Sequence, residues 1–300
     1  MEPTRHYEIV IFSYNDNLQL KGVLEKSLKS RAVRIILIGG GSLPYDYISG
    51  IKDGRFLFIR QQNRVGKPRS VIQALPIIQE EIVAMVSGDV EIEEGTFDML
   101  VSQFEDGVGA LFARIIPSFS KGFFPRLASL LWTVNHYQIS YLLKMGLPAH
   151  AGELLFIRRE CLQGYTGEIN EDAFFCLNAF RMGYKIKYVP EIVVKSIPIR
   201  NLNEYLIQRR RINYGHWELK MKRMEPYSIS TLSLGNVKQS FEILHKVVKK
   251  ERESVFYLAV LIFLEFASST IAKLDILTGR SHSVWRLISR DDFKENVSKR

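Results

Sequence analysis

Tyr7-Glu8-Ile9-Val10-Ile11-Phe12, closed by Ser13-Tyr14-Asn15-Asp16, is the stretch on which the reading of the fold turns. Its apolar run reads as a buried strand, its polar end as a turn, and Leu18 to Leu28 then takes up the three-and-four spacing of a helix. The same figure recurs downstream. Val33 to Ile38 reads as a second strand broken by Gly39-Gly40-Gly41, and Arg55 to Arg60 as a third. Ser70 to Gln79 reads as a helix, and Glu81 to Val86 as a fourth strand ending at Ser87-Gly88-Asp89. Strands and helices that alternate through short links predict an α/β fold with a mostly parallel sheet. Ligands of such sheets sit beyond the carboxyl ends of the strands, so the loops Tyr14 to Asp16, Gly39 to Ser42 and Ser87 to Glu91 are the places to look.

The rest of the chain extends this plan. Phe123 to Met145 is compatible with a long helix carrying few charges; Leu154 to Ile157 is strand-like, Asp172 to Met182 helical and Tyr184 to Val189 a further strand. Met224 to Asn236 turns polar and loop-like, which divides the chain into a catalytic domain, residues 1–224, and a helical region, 225–300. Within the latter, Val255 to Ala272 is an apolar run flanked by Lys249, Lys250, Arg252, Lys273 and Arg280. At about 1.5 Å per residue it approaches the roughly 30 Å thickness of a hydrocarbon core. Glu265 near its middle is costly in lipid, and the symmetric basic flanks suit a helix lying in the interface or packed against partner helices better than one that crosses; the alternative is a buried helix covering the catalytic domain, where Glu265 finds a polar partner.

Composition bounds the class. A chain of 300 residues that is 46% hydrophobic buries a sizeable core, and its net charge of +9 points to polyanionic company: nucleic acid, an anionic membrane surface or a phosphorylated substrate. The basic residues are dispersed and no nucleic-acid-binding signature stands out, so no nucleic-acid partner is expected. Two cysteines, Cys161 and Cys176, form no metal-binding pair and no disulfide framework, and the polar start Met1 to Tyr7 is no secretory signal. A catalytic domain on the cytoplasmic side is the expectation.

Three constellations carry chemistry. Asp89, in Ser87-Gly88-Asp89-Val90-Glu91, is placed where a carboxylate can hold a hard Mg2+ or Mn2+ on a diphosphate, although an acid at a strand end also serves as a helix cap. Glu171-Asp172 opens a helix, which suits either a dipole-complementing pair or a general base at Asp172. Gln208-Arg209-Arg210-Arg211 offers guanidinium groups suited to a diphosphate, or simply a solvated basic face.

Taken in order with Tyr14-Asn15-Asp16, Asn63-Arg64-Val65-Gly66-Lys67, Asp106-Gly107-Val108-Gly109-Ala110 and Gly152 to Arg159, these segments resemble the inverting glycosyltransferase family 2 across residues 7 to 217. The resemblance implies the GT-A fold, a Rossmann-like mixed, mostly parallel sheet flanked by helices, here with a C-terminal hydrophobic helical appendage. It implies Asp172 as the catalytic aspartate with Glu171 beside it. Gln208 and Arg211 look like the QxxRW signature of the cellulose, chitin and hyaluronan synthase-like branch. Tyr14, Asp16, Lys67, Gly88, Asp89, Gln208, Arg210 and Arg211 fall on the donor and its diphosphate, Asp89 with Glu91 on the metal, and His150 and Gly152 on the acceptor side.

The chain departs from the family pattern at three places. Ser87 stands where the first aspartate of the DxD motif belongs, Gly39-Gly40-Gly41 where an aspartate usually contacts the base, and Ile212 where the tryptophan of QxxRW belongs. The last favours single-sugar transfer over processive synthesis, and the first two motivate a rival reading: a catalytically impaired homologue that binds a nucleotide sugar as a scaffold. The expected partners are a nucleotide-sugar donor, a lipid-linked or glycan acceptor and a membrane surface, beside which the leucine-rich Phe123 to Met145 forms a greasy floor or plain core.

Overall fold

In the computed structural model, which describes residues 5–15, 17–227, 237–251, 255–282 and 284, the opening stretch is strand β1, Tyr7–Tyr14. Seven of its eight residues are buried, as an apolar run without alternation demands of a strand covered on both faces. β2 (Arg34–Gly40) and β4 (Ile82–Ser87) flank it in parallel, and β3 (Phe56–Gln61) pairs in parallel with β2. The crossovers are α1 (Asn17–Lys29), the short α2 (Tyr45–Ser49) and α3 (Lys67–Ala74). α3 starts earlier and stops sooner than the expected Ser70 to Gln79, because Pro68 fits a first turn and Pro76 cannot continue an α-helix; Leu75–Ile77 tightens to a 3-10 turn.

The second half makes the sheet mixed. After β5 (Val90–Glu91) and α4 (Thr96–Val101) come β6 (Val108–Pro117), α5 (Phe123–Lys144), β7 (Leu154–Arg158), α6 (Glu171–Arg181), β8 (Lys185–Ser196) and α7 (Leu202–Met221). The order among the described residues is β3-β2-β1-β4-β7-β6-β8-β5, with β7 antiparallel to both β4 and β6. β6 lies in a stretch read from sequence only for its Asp106 to Ala110 motif, and β8 runs seven residues past the expected Val189.

One apolar cluster on each face sandwiches the sheet: Phe12, Ile38, Met85, Phe112 and Phe175 on one side, Ile9, Leu37, Phe97 and Phe156 on the other. A third cluster ties the helical appendage to the domain. Leu127, Leu130 and Leu131 of α5 and Tyr205 of α7 pack with Ile243 and Val247 of α8 (Val237–Glu251) and with Leu258 and Leu261 of α9 (Val255–Leu277). The leucine-rich face of α5 is therefore core rather than an open floor. The domain division drawn after Met224 falls beside residues 228–236, which lie outside the described residues.

α9 meets α7 through polar side chains. Glu265 accepts a bidentate pair from Arg209, with Nε to Oε1 at 2.6 Å and Nη2 to Oε2 at 2.7 Å, and a further bond from the Tyr205 hydroxyl. Ser268 bonds Asn213, and Asp275 holds Arg210 and His282. The outward side carries Phe256, Phe263 and Phe266, each at least 63% exposed, with Ile262, Leu274 and Leu277. Glu265, costly in lipid, is thus placed on the protein side of the helix.

Breaking this seam from one side should be expensive. Glu265→Leu leaves Arg209 buried and uncompensated and should lose about 3–5 kcal/mol in denaturant unfolding, and adding Arg209→Met should recover much of that loss. Additive losses in the double variant would contradict the pairing.

Candidate active site

The carboxyl edge of the sheet gathers the residues that the sequence singles out. At its left end, Asn15 turns the chain with φ of 68° and its Oδ1 accepts the Ser42 amide at 2.6 Å. The triple glycine is required by this packing. A Cβ at Gly39 would lie 2.2 Å from the Ser13 carbonyl oxygen, one at Gly40 2.4 Å from that of Gln61, and one at Gly41 1.9 Å from Asn15 Oδ1. Beside it opens a cleft of about 430 Å³ lined by Tyr14, Gly41, Tyr45, Arg60, Gln61 and Gln62. The Arg60 guanidinium lies 4.5 Å from the centre of the Tyr45 ring and that of Arg64 5.3 Å from the Tyr14 ring, so the cleft has aromatic walls topped by cations. Asp16 lies outside the described residues.

Gly66, at φ of 84°, turns the chain so that Lys67 opens α3 pointing across the sheet edge. Lys67 Nζ is 2.6 Å from Glu171 Oε1, 3.2 Å from Ser87 Oγ and 3.5 Å from the Gly152 carbonyl oxygen. Burial alone would lower its pKa, but Glu171, Glu153 and Asp172 outweigh burial and raise it, so the ammonium stays charged. Gly88 follows the end of β4, donating its amide to the Phe12 carbonyl at 2.8 Å; a Cβ there would lie 2.5 Å from Ser13 Cβ. Close packing of β4 on β1 accounts for that glycine.

Asp89 shares its surroundings with a residue that the sequence reading missed. Glu153 is raised from the usual carboxylate range by burial and then by the charge of Asp89, with Lys67, Ser87 and Ser196 acting in the opposite direction. Glu91, expected beside Asp89 on the metal, is instead exposed on β5, since alternation along that short strand turns Val90 inward and Glu91 out. The carboxylate next to Asp89 is Glu153. No group of three or more His, Cys, Asp or Glu able to hold a metal occurs among the described residues. Two carboxylates in mutual repulsion fit a hard divalent cation that fills its remaining positions with phosphate oxygens and water.

α6 opens with Glu171 on Lys67 and Asp172 against His150, whose Nδ1 is 3.1 Å from Asp172 Oδ2. Burial pushes the Asp172 carboxyl up, but the His150 hydrogen bond and charge, Lys67 and the Ala173 amide outweigh it and hold the group well below its ordinary range. Gly152 makes this possible, because a Cβ there would sit 2.9 Å from Asp172 Oδ2.

The arginine run divides by helix face. Arg209 is taken by Glu265, and Arg210, expected on the diphosphate, is engaged by Asp275 of α9 instead. Arg211 faces the acidic group: burial lowers its pKa to about 10, against the opposing pull of Glu171, Asp172 and Glu153. Gln208 is half-buried on the same helix. Two further residues escaped the sequence reading: Asn170 donates to the Ile212 carbonyl at 2.8 Å, and a Cβ at Gly215 would lie 2.5 Å from Asn170. A glycine inside a helix costs about 1 kcal/mol against alanine, and that cost was the available signal of a close approach.

Comparison with known proteins bears on the fold and the family. N-acetylglucosaminyltransferases of Neorhizobium galegae and Rhizobium meliloti (strain 1021) are 22% and 23% identical to the chain over 229 and 237 residues. These alignments take in 68% and 70% of this chain but 53% and 55% of the relatives, so the chain spans about half the length of the curated relatives it matches. The solved mannosyltransferase PcManGT from Pyrobaculum calidifontis, in complex with GDP-Man and Mn2+, superposes with a TM-score of 0.60 at 15% identity, over 92% of this chain and 88% of that one. Glucosyl-3-phosphoglycerate synthase from Mycobacterium tuberculosis, in complex with Mn2+, UDP and phosphoglyceric acid, gives 0.51 at 18% identity over 75% and 80%. These structures share the mixed sheet flanked by helices, and the fold here is the GT-A fold. Residues 3–215 match the model of the family described as Glycosyltransferase like family 2, and on that extent of the chain the protein belongs to this family.

Proposed function

We propose that the chain is an inverting glycosyltransferase that moves one sugar from a nucleotide-sugar donor to an acceptor hydroxyl. The observation that carries this reading is the setting of Asp172: an ionised carboxylate beside Lys67, Arg211 and Glu153 at the carboxyl edge of the sheet. The cleft between Tyr14 and Tyr45 is suited to the planar base, with the diphosphate running from there toward Lys67 and Arg211. Gln208 stays with Arg211 on the donor side.

Asp89, with Glu153 beside it, would hold the Mg2+ or Mn2+, which when bound supplies positive charge to the departing diphosphate. The guanidinium of Arg211 adds a fixed charge for the same leaving group. Lys67 keeps Glu171 and the turn at Ser87 in register with it. Asp172 takes the proton of the acceptor hydroxyl as its oxygen attacks the anomeric carbon, and the bond to the phosphate oxygen breaks with its electron pair leaving on the diphosphate. His150 and Gly152 lie against Asp172 and so on the acceptor side. Ile212, in place of an aromatic platform, suits transfer of a single sugar.

The binding-only alternative draws on Ser87, yet the charge cluster around Asp172 is complete without a carboxylate there. Donor hydrolysis in the presence of Mn2+ separates the two readings.

The catalytic domain works, on this reading, at the cytoplasmic surface of a membrane with a lipid-linked acceptor. Support comes from α9, a 23-residue helix apolar enough to cross a bilayer, whose acids Glu265 and Asp275 are buried against α7 while a row of phenylalanines faces out. A helix fixed in this way to α7 and its arginines suits lying in the interface rather than spanning. The exposed Lys246 and Lys249 of α8 favour anionic headgroups.

Asp172→Asn should leave folding and donor binding intact and lower transfer about 10²–10⁴-fold in a steady-state assay; retained turnover refutes the base assignment. Asp89→Ala and Arg211→Met should each weaken binding of the free nucleoside diphosphate with metal present, measured by calorimetry, and unchanged affinity in either removes that residue from the diphosphate site. Phe263→Glu with Phe266→Glu, both on exposed positions, should keep the fold and cut partition onto anionic vesicles by about 10²-fold or more, reckoned at about 1.5 kcal/mol per buried ring. A full-length protein that stays soluble at low salt without detergent and ignores vesicles contradicts the membrane reading.

A further inference from the structure

Asp172 and His150 form a contact that the transfer reaction does not by itself require. His150 lies four residues before the first residue of β7, in the segment Ala149-His150-Ala151-Gly152, while Asp172 comes from the first turn of α6. Their side chains are 16% and 18% exposed and meet at 3.1 Å, Nδ1 to Oδ2. Three features set this contact apart from a surface ion pair. Gly152 leaves the space that Oδ2 occupies, so the backbone of this segment is shaped around that oxygen. His150 Nε2 is buried and has no hydrogen-bond partner among the described residues, as fits an imidazole whose polar contact is made through Nδ1. His216 of α7 stands against the ring of His150, with centroids 5.3 Å apart and planes at 65°, and is itself buried without a partner on either nitrogen among the described residues. A wall of two imidazoles thus backs one oxygen of Asp172.

We propose that His150 is the positioning residue of the base: its Nδ1–H pins Oδ2 of Asp172 and leaves Oδ1 as the oxygen that takes the acceptor proton. The proposal rests on the reading of Asp172 as that base. In the reaction the acceptor O–H bond breaks, its proton goes to Asp172 Oδ1, the acceptor oxygen bonds the anomeric carbon, and the diphosphate leaves with the electron pair of the old bond. His150 exchanges no proton in this step. It fixes which oxygen is basic and where that oxygen stands, and His216 keeps the ring from turning away.

Nδ1–H of His150 donates to Asp172 Oδ2 across this contact. The charged and titratable groups around the pair are Lys67 of α3, Glu171 of α6, Glu153, and Arg209, Arg211 and His216 of α7. Burial, then the charges of His150 and Arg209, hold His216 well below the usual histidine range, so it stays neutral beside its neighbour.

The test compares His150→Ala, His150→Asn and His150→Gln in the full chain with Mn2+, with Asp172→Asn run beside them. Asparagine can place its amide N–H where Nδ1 stands, whereas glutamine carries its amide a bond further. His150→Ala should lose about 10²-fold in kcat, the order expected when a reacting group is misplaced by 1 Å, with donor KM and nucleoside diphosphate affinity unchanged. His150→Asn should recover most of that loss, and His150→Gln should not recover it. Wild-type kcat in His150→Ala, or a loss matched by lower Tm and weaker diphosphate binding that asparagine does not repair, overturns the proposal. If Asp172→Asn keeps its turnover, the base reading itself has failed; if Asp172→Asn is inactive while His150→Ala is not, only the positioning role has.

Discussion

Four carboxylates, Asp89, Glu153, Glu171 and Asp172, converge on one edge of the sheet against two cations, Lys67 and Arg211, and the rest of the site is built to hold that imbalance. Buried charges are tolerated only with partners and hydrogen bonds. Three of them have found different solutions. Glu171 takes Lys67, Asp172 takes His150 and the amide of Ala173, and Glu153 is served by Ser87 and Ser196 while Asp89 pushes its pKa upward. The same field keeps Lys67 charged despite burial. A pocket with this surplus of negative charge favours a divalent cation and, through that cation, a diphosphate.

α7 transmits this arrangement to the far side of the molecule. Arg211 and His216 face the acidic pocket, while Arg209, Arg210 and Asn213 face α9. Successive residues of a helix project about 100° apart, so a run of three arginines must serve more than one surface. The consequence is mechanical. Glu265 and Asp275 fix the azimuth of α7, and with it the direction of Arg211, from a helix whose other side is exposed phenylalanine. Whatever covers that side bears on the helix that carries Arg211.

How much of this was legible in the sequence differs by element. β1, β2 and β4 are legible within a residue or two, because strands buried on both faces are apolar throughout and end at turn residues, and the edge strand β3 is legible from its alternation with the crossover helices. β6 was missed. Its Val108-Gly109-Ala110 start follows a glycine turn, and Gly109 is there to let Tyr184 approach, a reason visible only across the sheet. Asp172, Lys67 and Arg211 stand out through the order of motifs, but the partners of these side chains lie far apart in the chain: His150 is 22 residues from Asp172 and Ser87 is 20 from Lys67. Glu265 stands out in an apolar helix, as a cost in lipid or as an acid awaiting a polar partner on the protein, and the structure supplies the partner. Its spacing with Ser268 and Asp275, on the buried side, was the sign of a polar seam.

Ser87 marks where the family pattern and the local physics part company. Its hydroxyl lies 3.2 Å from Lys67 Nζ and also hydrogen-bonds Glu153, so it accepts from the cation and donates to the acid. A carboxylate at 87 accepts only, and it would add a fifth negative charge beside Glu153 and compete with Glu171 for Lys67. The chain instead carries its second acid near Asp89 on β7's approach, at Glu153, and links it through Ser87 to the lysine. The backbone supports the exchange, since the Ser87 amide donates to the Glu153 carbonyl at 3.0 Å and ties the two segments together. Serine at 87 and glutamate at 153 thus work as one hydrogen-bonded unit with Lys67. Restoring an acid at 87 alone would crowd the pocket rather than complete it.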